Sequence, residues 1–448
     1  MPIATDNARA IADYDRLLAG QNLADTIREL DAATQRHGLR YPDGRPWCEL
    51  LRPCLVDPLF YERAAHAALV VARAIADVTE RVLADRRLRA AIGMPAYLDG
   101  ALEIDREGGN ASLLARLDGF VEDGEITFIE YNAEPGGLAS ATEVSAAFAG
   151  MPIARAFAAL HPFRGFDLAA LALAALHRDH APRRHDGPPA IAVLRVTANM
   201  DQGGKLRWLP YAALHGCPVY LVRPEEIDVD DAGIAVEGQR IDYLALSDWP
   251  AVFDPSPAMR RVLRCVARGD VRTLNGISRV VAGTSKVLFE MLTSSAHAHC
   301  FDAETRAVLA RHVPWTRWVR DAWTDHDGEQ VDLLRFAEAR REELVLKPGN
   351  DKGGAGLVIG ADCDAGAWRD AIDAALRRPS VLQRRVALPR QSFPVRGDDD
   401  AIRREELYWD YNPYVWNGEV AAGALVRVDA APNLSAGTGW VAPLWVLE

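Results

Sequence analysis

The hydrophobic periodicity of the chain changes twice along its length. Apolar residues recur at helical spacing up to about residue 92, and two strand-like segments with a turn signal follow at 112–120 and 125–131. From Ala190 onward, strands alternate with helices. The sequence therefore predicts an α/β (α+β) protein with a mostly parallel sheet after Ala190. The first helical segments are predicted at 7–18, 23–36, 61–76 and 78–92.

Composition and charge exclude several classes of protein. Of the 448 residues, 49% are hydrophobic and 25% are charged, which is typical of a globular chain. A net charge of −12 argues against a nucleic-acid-binding surface. The six cysteines are scattered without a C-x-x-C pair, which fits a reducing compartment, and no long apolar run predicts a membrane span. We expect a cytoplasmic protein without a nucleic-acid or membrane partner.

An acidic hairpin is the most informative part of the sequence. Arg116 and Asp118 lie two positions apart on one strand, and Glu130 and Asn132 do so on the next. A three-residue loop at 123–125 would place Asp118 opposite Glu130 and Arg116 opposite Asn132, whereas a two-residue loop would shift this register by one residue. Alternation along the second strand predicts one shared face for Ile126, Phe128, Glu130 and Asn132.

The charges of this hairpin suit a cation and a phosphate. Like charges that face each other across a sheet are destabilising, and a divalent cation between them removes the conflict. Asp118, Glu130 and the amide oxygen of Asn132 are hard oxygen ligands suited to Mg²⁺. Arg116 would add a positive fork for a phosphoryl oxygen. The alternative is a hairpin edge with solvated charges.

A second candidate segment is the glycine-rich loop at 349–356. The strand before it ends near Lys347, and the loop includes Gly353 and Gly354. Glycines let backbone N–H groups approach a phosphate closely, and lysine supplies a point charge. The segment is not a P-loop, and it misses the third glycine of a dinucleotide fingerprint by one residue. The alternative is a plain hairpin turn.

Taken together, these segments resemble a circularly permuted ATP-grasp enzyme and are similar to the synthetase domain of glutathionylspermidine synthetase. The resemblance covers residues 95–448. In the unpermuted fold the lysines precede the metal-binding carboxylates, whereas the carboxylates come first here. The matching pieces are Arg116-Leu117-Asp118, Glu130-Tyr131-Asn132-Ala133, Ser285-Lys286, Val313-Pro314-Trp315-Thr316, Val345-Leu346-Lys347-Pro348, Gln383-Arg384-Arg385-Val386, and Arg427 with Asn433-Leu434-Ser435-Ala436-Gly437.

The resemblance implies a domain organisation and a set of roles. It implies ATP and Mg²⁺ as cofactors, a catalytic Arg116 at the transferred phosphoryl group, and Mg²⁺ ligation by Asp118, Glu130 and Asn132. The residues implied to bind the nucleotide are Lys286, Lys347, Gly353, Gly354, Gln383, Val386 and Arg427. The implied domains are a helical N-terminal region (1–94), a metal-binding part of the ATP-grasp core (95–160), a pre-ATP-grasp-like α/β substrate domain (186–274) and nucleotide-binding lobes (275–448).

The activity implied by the resemblance is ATP-dependent ligation of a small-molecule carboxylic acid to an amine. An acyl phosphate would be the intermediate, and ADP and phosphate would be released. Glu134-Pro135-Gly136-Gly137 departs from the Asp-Ser continuation of the family, which leaves the acceptor open. The alternatives are a small-molecule kinase on the same scaffold and a non-catalytic nucleotide-binding protein.

Overall fold

The computed structural model describes most of the chain. No helix within the described ranges combines the length and the hydropathy needed to cross a lipid bilayer. The six cysteines are free thiols. The described residues are 4–20, 23–37, 39–40, 44–94, 98–105, 113–181, 187–194, 209–246, 255–350, 356–397, 401–434 and 438–448.

Helices fill much of the first hundred residues and recur between the strands. The α-helices are α1 (Ala4–Gly20), α2 (Leu23–His37), α3 (Pro58–Ala84), α4 (Arg86–Ala91), α5 (Leu98–Ile104), α6 (Leu138–Ala149), α7 (Pro152–Ala158), α8 (Leu168–His180), α9 (Leu209–Leu214), α10 (Pro257–Arg268), α11 (Ile277–Gly283), α12 (Leu288–Thr293), α13 (Ala303–His312), α14 (Leu333–Ala339) and α15 (Ala365–Ala375). Short 3₁₀ helices lie at Pro224–Glu226, Ser295–Cys300, Arg341–Glu343 and Gly360–Asp362.

Helix α3 is longer than the sequence predicted. The segments predicted at 61–76 and 78–92 are one continuous helix to Ala84, followed by the short α4. No glycine or proline interrupts it after its first residue. Asp57 caps its start, where the carboxylate accepts the Phe60 N–H at 2.8 Å, and Asp85 ends it.

The strands fall into separate sheets. In chain order they are β1 (Cys54–Val56), β2 (Leu114–Glu122), β3 (Glu125–Asn132), β4 (Phe163–Arg164), β5 (Ile191–Leu194), β6 (Val219–Val222), β7 (Asp228–Asp230), β8 (Gly233–Val236), β9 (Gln239–Arg240), β10 (Tyr243–Leu246), β11 (Arg272–Thr273), β12 (Thr316–Trp318), β13 (Trp323–His326), β14 (Glu329–Asp332), β15 (Leu344–Pro348), β16 (Val358–Ile359), β17 (Ser380–Arg384), β18 (Arg390–Arg396), β19 (Ile402–Trp409), β20 (Asn412–Trp416), β21 (Val420–Asp429), β22 (Trp440–Ala442) and β23 (Leu444–Leu447).

The largest sheet joins early and late parts of the chain. It is antiparallel, in the order β18-β19-β21-β20-β2-β3, and β22 also pairs with β21. A second antiparallel sheet has the order β12-β17-β15-β16. The strands β11-β10-β5-β6 are all parallel, which confirms the parallel sheet predicted after Ala190. The smaller sheets are β1-β23-β4, β7-β8-β9 and β13-β14.

Buried apolar side chains of the described residues form three clusters. The largest includes residues of α1, α3 and the seven-stranded sheet. The second lies on one face of the parallel sheet, whose other face belongs to the first cluster. The third joins the sheet β12-β17-β15-β16 to α15, where Trp368 is buried. Helices thus cover the seven-stranded sheet, the parallel sheet and the sheet β12-β17-β15-β16.

The hairpin β2–β3 has the predicted register. Asp118 lies opposite Glu130, and Arg116 lies opposite Asn132. The predicted three-residue loop is wrong, because Glu122 pairs with Glu125 across a two-residue turn. Both turn residues have positive φ, 50° at the first and 75° at the glycine that follows it, as a type I′ turn requires.

A β-bulge at Ile129 reconciles the short turn with the predicted register. Two neighbouring residues of β2 pair with Phe128 and Glu130, so Ile129 between them has no partner in the ladder. Directly opposed residues share a face of a sheet, so Phe128 lies on the face opposite to that of Glu130. The prediction that Ile126 and Phe128 share the face of Glu130 is therefore wrong, and both are core residues.

Candidate active site

The centre of the site is the ion pair between Arg116 and Asp118 on β2. Arg116 donates from Nε to Asp118 Oδ1 at 2.7 Å and from Nη2 to Oδ2 at 3.1 Å. A third donor of the guanidinium, Nη1, reaches the backbone oxygen of Gly136 at 2.7 Å, and the Tyr414 hydroxyl donates to the same oxygen at 3.0 Å. Both members of the pair are buried, so their geometry is fixed by their hydrogen bonds as well as by the strand.

A second arginine from β21 completes a group that we call the arginine cluster: Arg116, Asp118, Asp410 and Arg427. Arg427 donates from Nη2 to Asp118 Oδ2 at 2.8 Å and from Nε to Asp410 Oδ2 at 2.7 Å. Burial alone would raise the pKa of Asp118, but the two guanidinium groups outweigh it and hold that pKa below its usual value. Burial raises the pKa of Asp410, against the opposing effect of Arg427.

The remaining predicted metal ligands adjoin this cluster on β3. Asn132 donates from Nδ2 to Asp118 Oδ1 at 3.0 Å, which leaves its side-chain oxygen as an acceptor. The Glu130 carboxylate pairs with Lys286, whose Nζ lies 2.9 Å from Oε1. The hairpin therefore carries its three predicted ligands on one face, next to a lysine from a distant part of the chain.

Lys347 approaches the hairpin from the other antiparallel sheet. Its Nζ donates to Gln383 Oε1 at 2.6 Å, and Gln383 in turn donates to Thr316 Oγ1 at 3.0 Å. Burial lowers the pKa of Lys347 to about 8, and the charges of Glu130, Lys286 and Asp118 act on the same group. The structure thus brings Lys286 and Lys347, which we call the lysine pair, to the face of the acidic hairpin.

The glycine-rich loop begins beside Lys286. The backbone N–H of Lys286 donates to the Gly349 oxygen at 2.9 Å, and the Gly349 N–H donates to the Pro379 oxygen at 2.8 Å. Gly353 and Gly354 lie outside the described residues. Val386 is half-buried and follows the end of β17 by two residues.

Comparison with solved structures identifies the architecture. No protein-family model and no curated protein sequence matches the chain. A glutathione synthetase-like effector from Globodera pallida, in its apo form, aligns with a TM-score of 0.58 at 11% identity, over 95% of this chain and 96% of that one. The chain has an α/β ATP-grasp-like fold. The resemblance predicted from the sequence is thereby confirmed as a similarity of fold.

Two further solved structures align less well. A Methylobacillus flagellatus protein assigned as a γ-glutamylcysteine synthetase has a TM-score of 0.40 at 10% identity, over 84% of this chain and 88% of that one. An ATP-grasp ligase complexed with a minimal precursor, Mg and ADP has a TM-score of 0.24 at 13% identity, over 58% of this chain and 88% of that one.

The donor set on the face of the hairpin suits a hard cation. It consists of two carboxylates and an amide oxygen, which are the ligand types that Mg²⁺ prefers. Among the described residues, no group of three His, Cys, Asp or Glu side chains could hold a metal ion, so the amide of Asn132 would have to serve as the third ligand. Asp118 and Glu130 each already contact a cationic side chain, and a bound metal would take over part of that neutralisation.

Several residues that contact the arginine cluster or its supports carry no motif in the sequence. Asp410 and Asn412 precede Tyr414 at alternate positions, and all three contact the arginine cluster or its supports. This period-2 polar pattern was the available signal. The resemblance predicts Gln383 at the nucleotide hinge, whereas its hydrogen bond to Lys347 has no signal in the local sequence.

Proposed function

We propose that the chain is an ATP- and Mg²⁺-dependent ligase that joins a carboxylic acid to an amine. One observation carries the proposal: the acidic face of the hairpin meets the lysine pair. Lys286 Nζ lies 2.9 Å from Glu130 Oε1, and the charges of Glu130 and Asp118 act on the buried Lys347. Carboxylates, an arginine and two lysines in one place are what phosphoryl transfer requires, because it depends on positioning and charge neutralisation.

The chain's own residues have distinct roles in this proposal. Asp118, Glu130 and Asn132 would hold Mg²⁺, which when bound neutralises phosphate charge. The lysine pair binds the nucleotide phosphates, and Gln383 fixes the direction of Lys347. We also propose that Gly353, Gly354, Val386 and Arg427 contact the nucleotide.

The proposed chemistry needs no nucleophilic side chain. A carboxylate oxygen of the acid attacks the γ-phosphorus of ATP, and the bond to the β–γ bridging oxygen breaks to release ADP. The amine nitrogen then attacks the acyl carbon and displaces phosphate, with loss of a proton. Arg116 is positioned for the developing phosphoryl charge because Gly136 and Asp118 orient its guanidinium.

We also propose that the fold is circularly permuted, as the resemblance implies. The hairpin residues 116–132 precede both lysines in the chain, although all of them meet in space. The domain organisation proposed with it is a helical region at 1–94, a metal-binding part at 95–160, a substrate domain at 186–274 and nucleotide-binding lobes at 275–448.

The decisive experiment is a screen of carboxylic acids against amines, with ADP and phosphate measured separately. The proposal expects amine-dependent release of both, and a hydroxamate when hydroxylamine replaces the amine. Release of AMP and pyrophosphate would contradict it. A stable phosphoester product that hydroxylamine does not trap would instead support the kinase. If ATP binds but no acid–amine pair is turned over, the result would support the remaining alternative, a non-catalytic nucleotide-binding protein.

A further inference from the structure

The arginine cluster is neutral within itself. Two guanidinium groups face two carboxylates, and Arg116, Asp118 and Asp410 are 6%, 5% and 1% exposed. Neutrality matters because an unpaired charge at this depth would be costly. An additional cation next to Asp118 would therefore give the cluster a net positive charge.

Asp410 holds Arg427 at both its backbone and its side chain. Its Oδ1 accepts the Arg427 backbone N–H at 2.9 Å, and its Oδ2 accepts Nε at 2.7 Å and Nη2 at 2.6 Å. Asn412 donates to Asp410 Oδ1 at 2.6 Å, and its own Oδ1 accepts the Gly119 N–H at 3.2 Å, next to Asp118. Asp410 is thus fixed relative to the acidic hairpin.

Arg116 and Arg427 would keep different hydrogen-bond partners if they were separated from Asp118. Arg116 has Asp118 as its carboxylate partner and otherwise contacts the neutral Gly136 oxygen. Arg427 also contacts Asp410, so it keeps a counter-ion after separation from Asp118. The side chain of Arg427 is also more exposed, at 19% against 8% for Arg116. Arg427 is therefore the arginine that can move.

We propose that Arg427 is a movable counter-ion and that Asp410 is the positioning residue on which it turns. In the structure Arg427 neutralises Asp118. With Asp118 bound to Mg²⁺, Arg427 would turn to the phosphates of the nucleotide, and Asp410 would retain it. The inference rests on the proposed function, because it assumes that Asp118 is a Mg²⁺ ligand. It predicts that Asp410 sets how much Mg²⁺ is needed to displace Arg427.

The test is the Mg²⁺ concentration that gives half-maximal thermal stabilisation by a fixed concentration of ADP. In Asp410→Asn, Arg427 loses its second carboxylate and holds Asp118 more tightly. We expect the Mg²⁺ midpoint to rise about tenfold, the equivalent of one charge-assisted hydrogen bond. In the double variant Asp410→Asn/Arg427→Gln the competing cation is gone, so the midpoint should fall at least about tenfold from that of Asp410→Asn, to the parent value or below it.

A matched control separates this role from a structural one. Asp15 also pairs with a buried arginine, Arg52, at 2.9 Å, and it belongs to helix α1 rather than to the arginine cluster. Asp15→Asn should lower the melting temperature without moving the Mg²⁺ midpoint. If Asp410→Asn does not fold, Arg427→Gln alone tests the inference, because removal of the competing arginine should lower the midpoint.

The outcomes distinguish the two proposals. An unchanged Mg²⁺ midpoint in folded Asp410→Asn, or an unchanged or raised one in Arg427→Gln, would overturn the role of the Arg427–Asp410 pair. A parent protein that ADP does not stabilise at any Mg²⁺ concentration would instead overturn the proposed function itself. A midpoint shift in Asp410→Asn that the double variant reverses supports the inference.

Discussion

The arginine cluster and Lys347, one member of the lysine pair, compensate charge in different ways. In the arginine cluster, Arg116 and Arg427 contact carboxylates directly, at 2.7 and 2.8 Å from Asp118. On the lysine side, the ammonium of Lys347 donates to the neutral Gln383, and burial lowers its pKa to about 8. The charges of the cluster are therefore neutralised within the protein, whereas Lys347 is suited to an anion that arrives from outside.

Replacement of Asp118 should give the largest effect. Asp118→Asn removes a proposed metal ligand and leaves two guanidinium groups short of a carboxylate. We expect kcat to fall by roughly 10²–10³-fold, as when an essential electrostatic group is lost. The free energy of unfolding should also fall, by about 3–5 kcal/mol, because a buried charge pair is broken. ADP release and urea denaturation measure the two effects; full activity in a folded variant would remove Asp118 from the mechanism.

Replacement of Lys347 should separate binding from stability. Lys347→Met keeps the volume of the side chain and removes a charge that burial disfavours. The ATP dissociation constant should rise by about 10–100-fold, the value of one or two charge-assisted contacts. Stability should change by less than about 1 kcal/mol, because relief of desolvation offsets the lost hydrogen bond to Gln383. Calorimetric titration and denaturation test this; a stability loss as large as that of Asp118→Asn would contradict the comparison.

The pH dependence of nucleotide binding should identify Lys347. Its folded pKa of about 8 is below its ordinary value, so the ammonium is lost from the free protein above that pH. The ATP dissociation constant should rise above pH 8, by at most about tenfold per pH unit. Lys347→Arg keeps its charge and should show a flatter profile, since arginine does not deprotonate in this range.

The same pKa shift makes ATP binding weaker as the pH rises, but it makes the folded protein more stable. Between about pH 8 and 10.5 the unfolded chain binds more protons at Lys347 than the folded protein does, so this lysine's contribution to stability rises with pH. The difference between the parent protein and Lys347→Met measures that contribution. Equal slopes in the two proteins would show that Lys347 is not the group responsible.

The sequence predicted which residues of the hairpin face each other, but it did not predict the length of the turn or the bulge. Asp118 and Glu130 could be paired by counting from the turn, yet the count was correct only because a shorter turn and the bulge at Ile129 cancel each other. Bulges depend on packing against the rest of the sheet, which a local pattern does not contain. For the same reason a local pattern could not show that the side chain of Gln383 holds Lys347, and the role of Gln383 at the nucleotide, which the resemblance implies, stays a prediction.

Longer-range relations were harder still to predict. Asp410 lies almost 300 residues after Asp118 in the chain. It comes just before β20, and β20 pairs with β2, the strand that carries Asp118. A buried aspartate near an arginine is common, so the pair had no distinctive motif of its own. The fold class and the parallel sheet depend on local periodicity instead, and these predictions are confirmed.

The smallest expected effect on activity concerns Gly119, which lies next to the bulge. A Cβ added at Gly119 would lie 3.0 Å from the Phe128 ring and 3.0 Å from the Thr127 oxygen. Gly119→Ala should therefore reduce the free energy of unfolding by about 1–3 kcal/mol, the usual cost of overpacking. Because the strain falls on the hairpin, kcat should fall more than the ATP dissociation constant rises. Equal changes in both would indicate that the bulge supports the lysine pair as well.

The order of strands in the largest sheet has a consequence for biosynthesis. Strand β2 carries Arg116 and Asp118, yet its inner neighbour β20 begins only at Asn412. While the ribosome makes the intervening chain, the nascent hairpin exposes an unpaired edge, which invites aggregation. Such distant pairing also slows folding. We therefore expect the nascent chain to need chaperones that shield this edge until β20 has been synthesised.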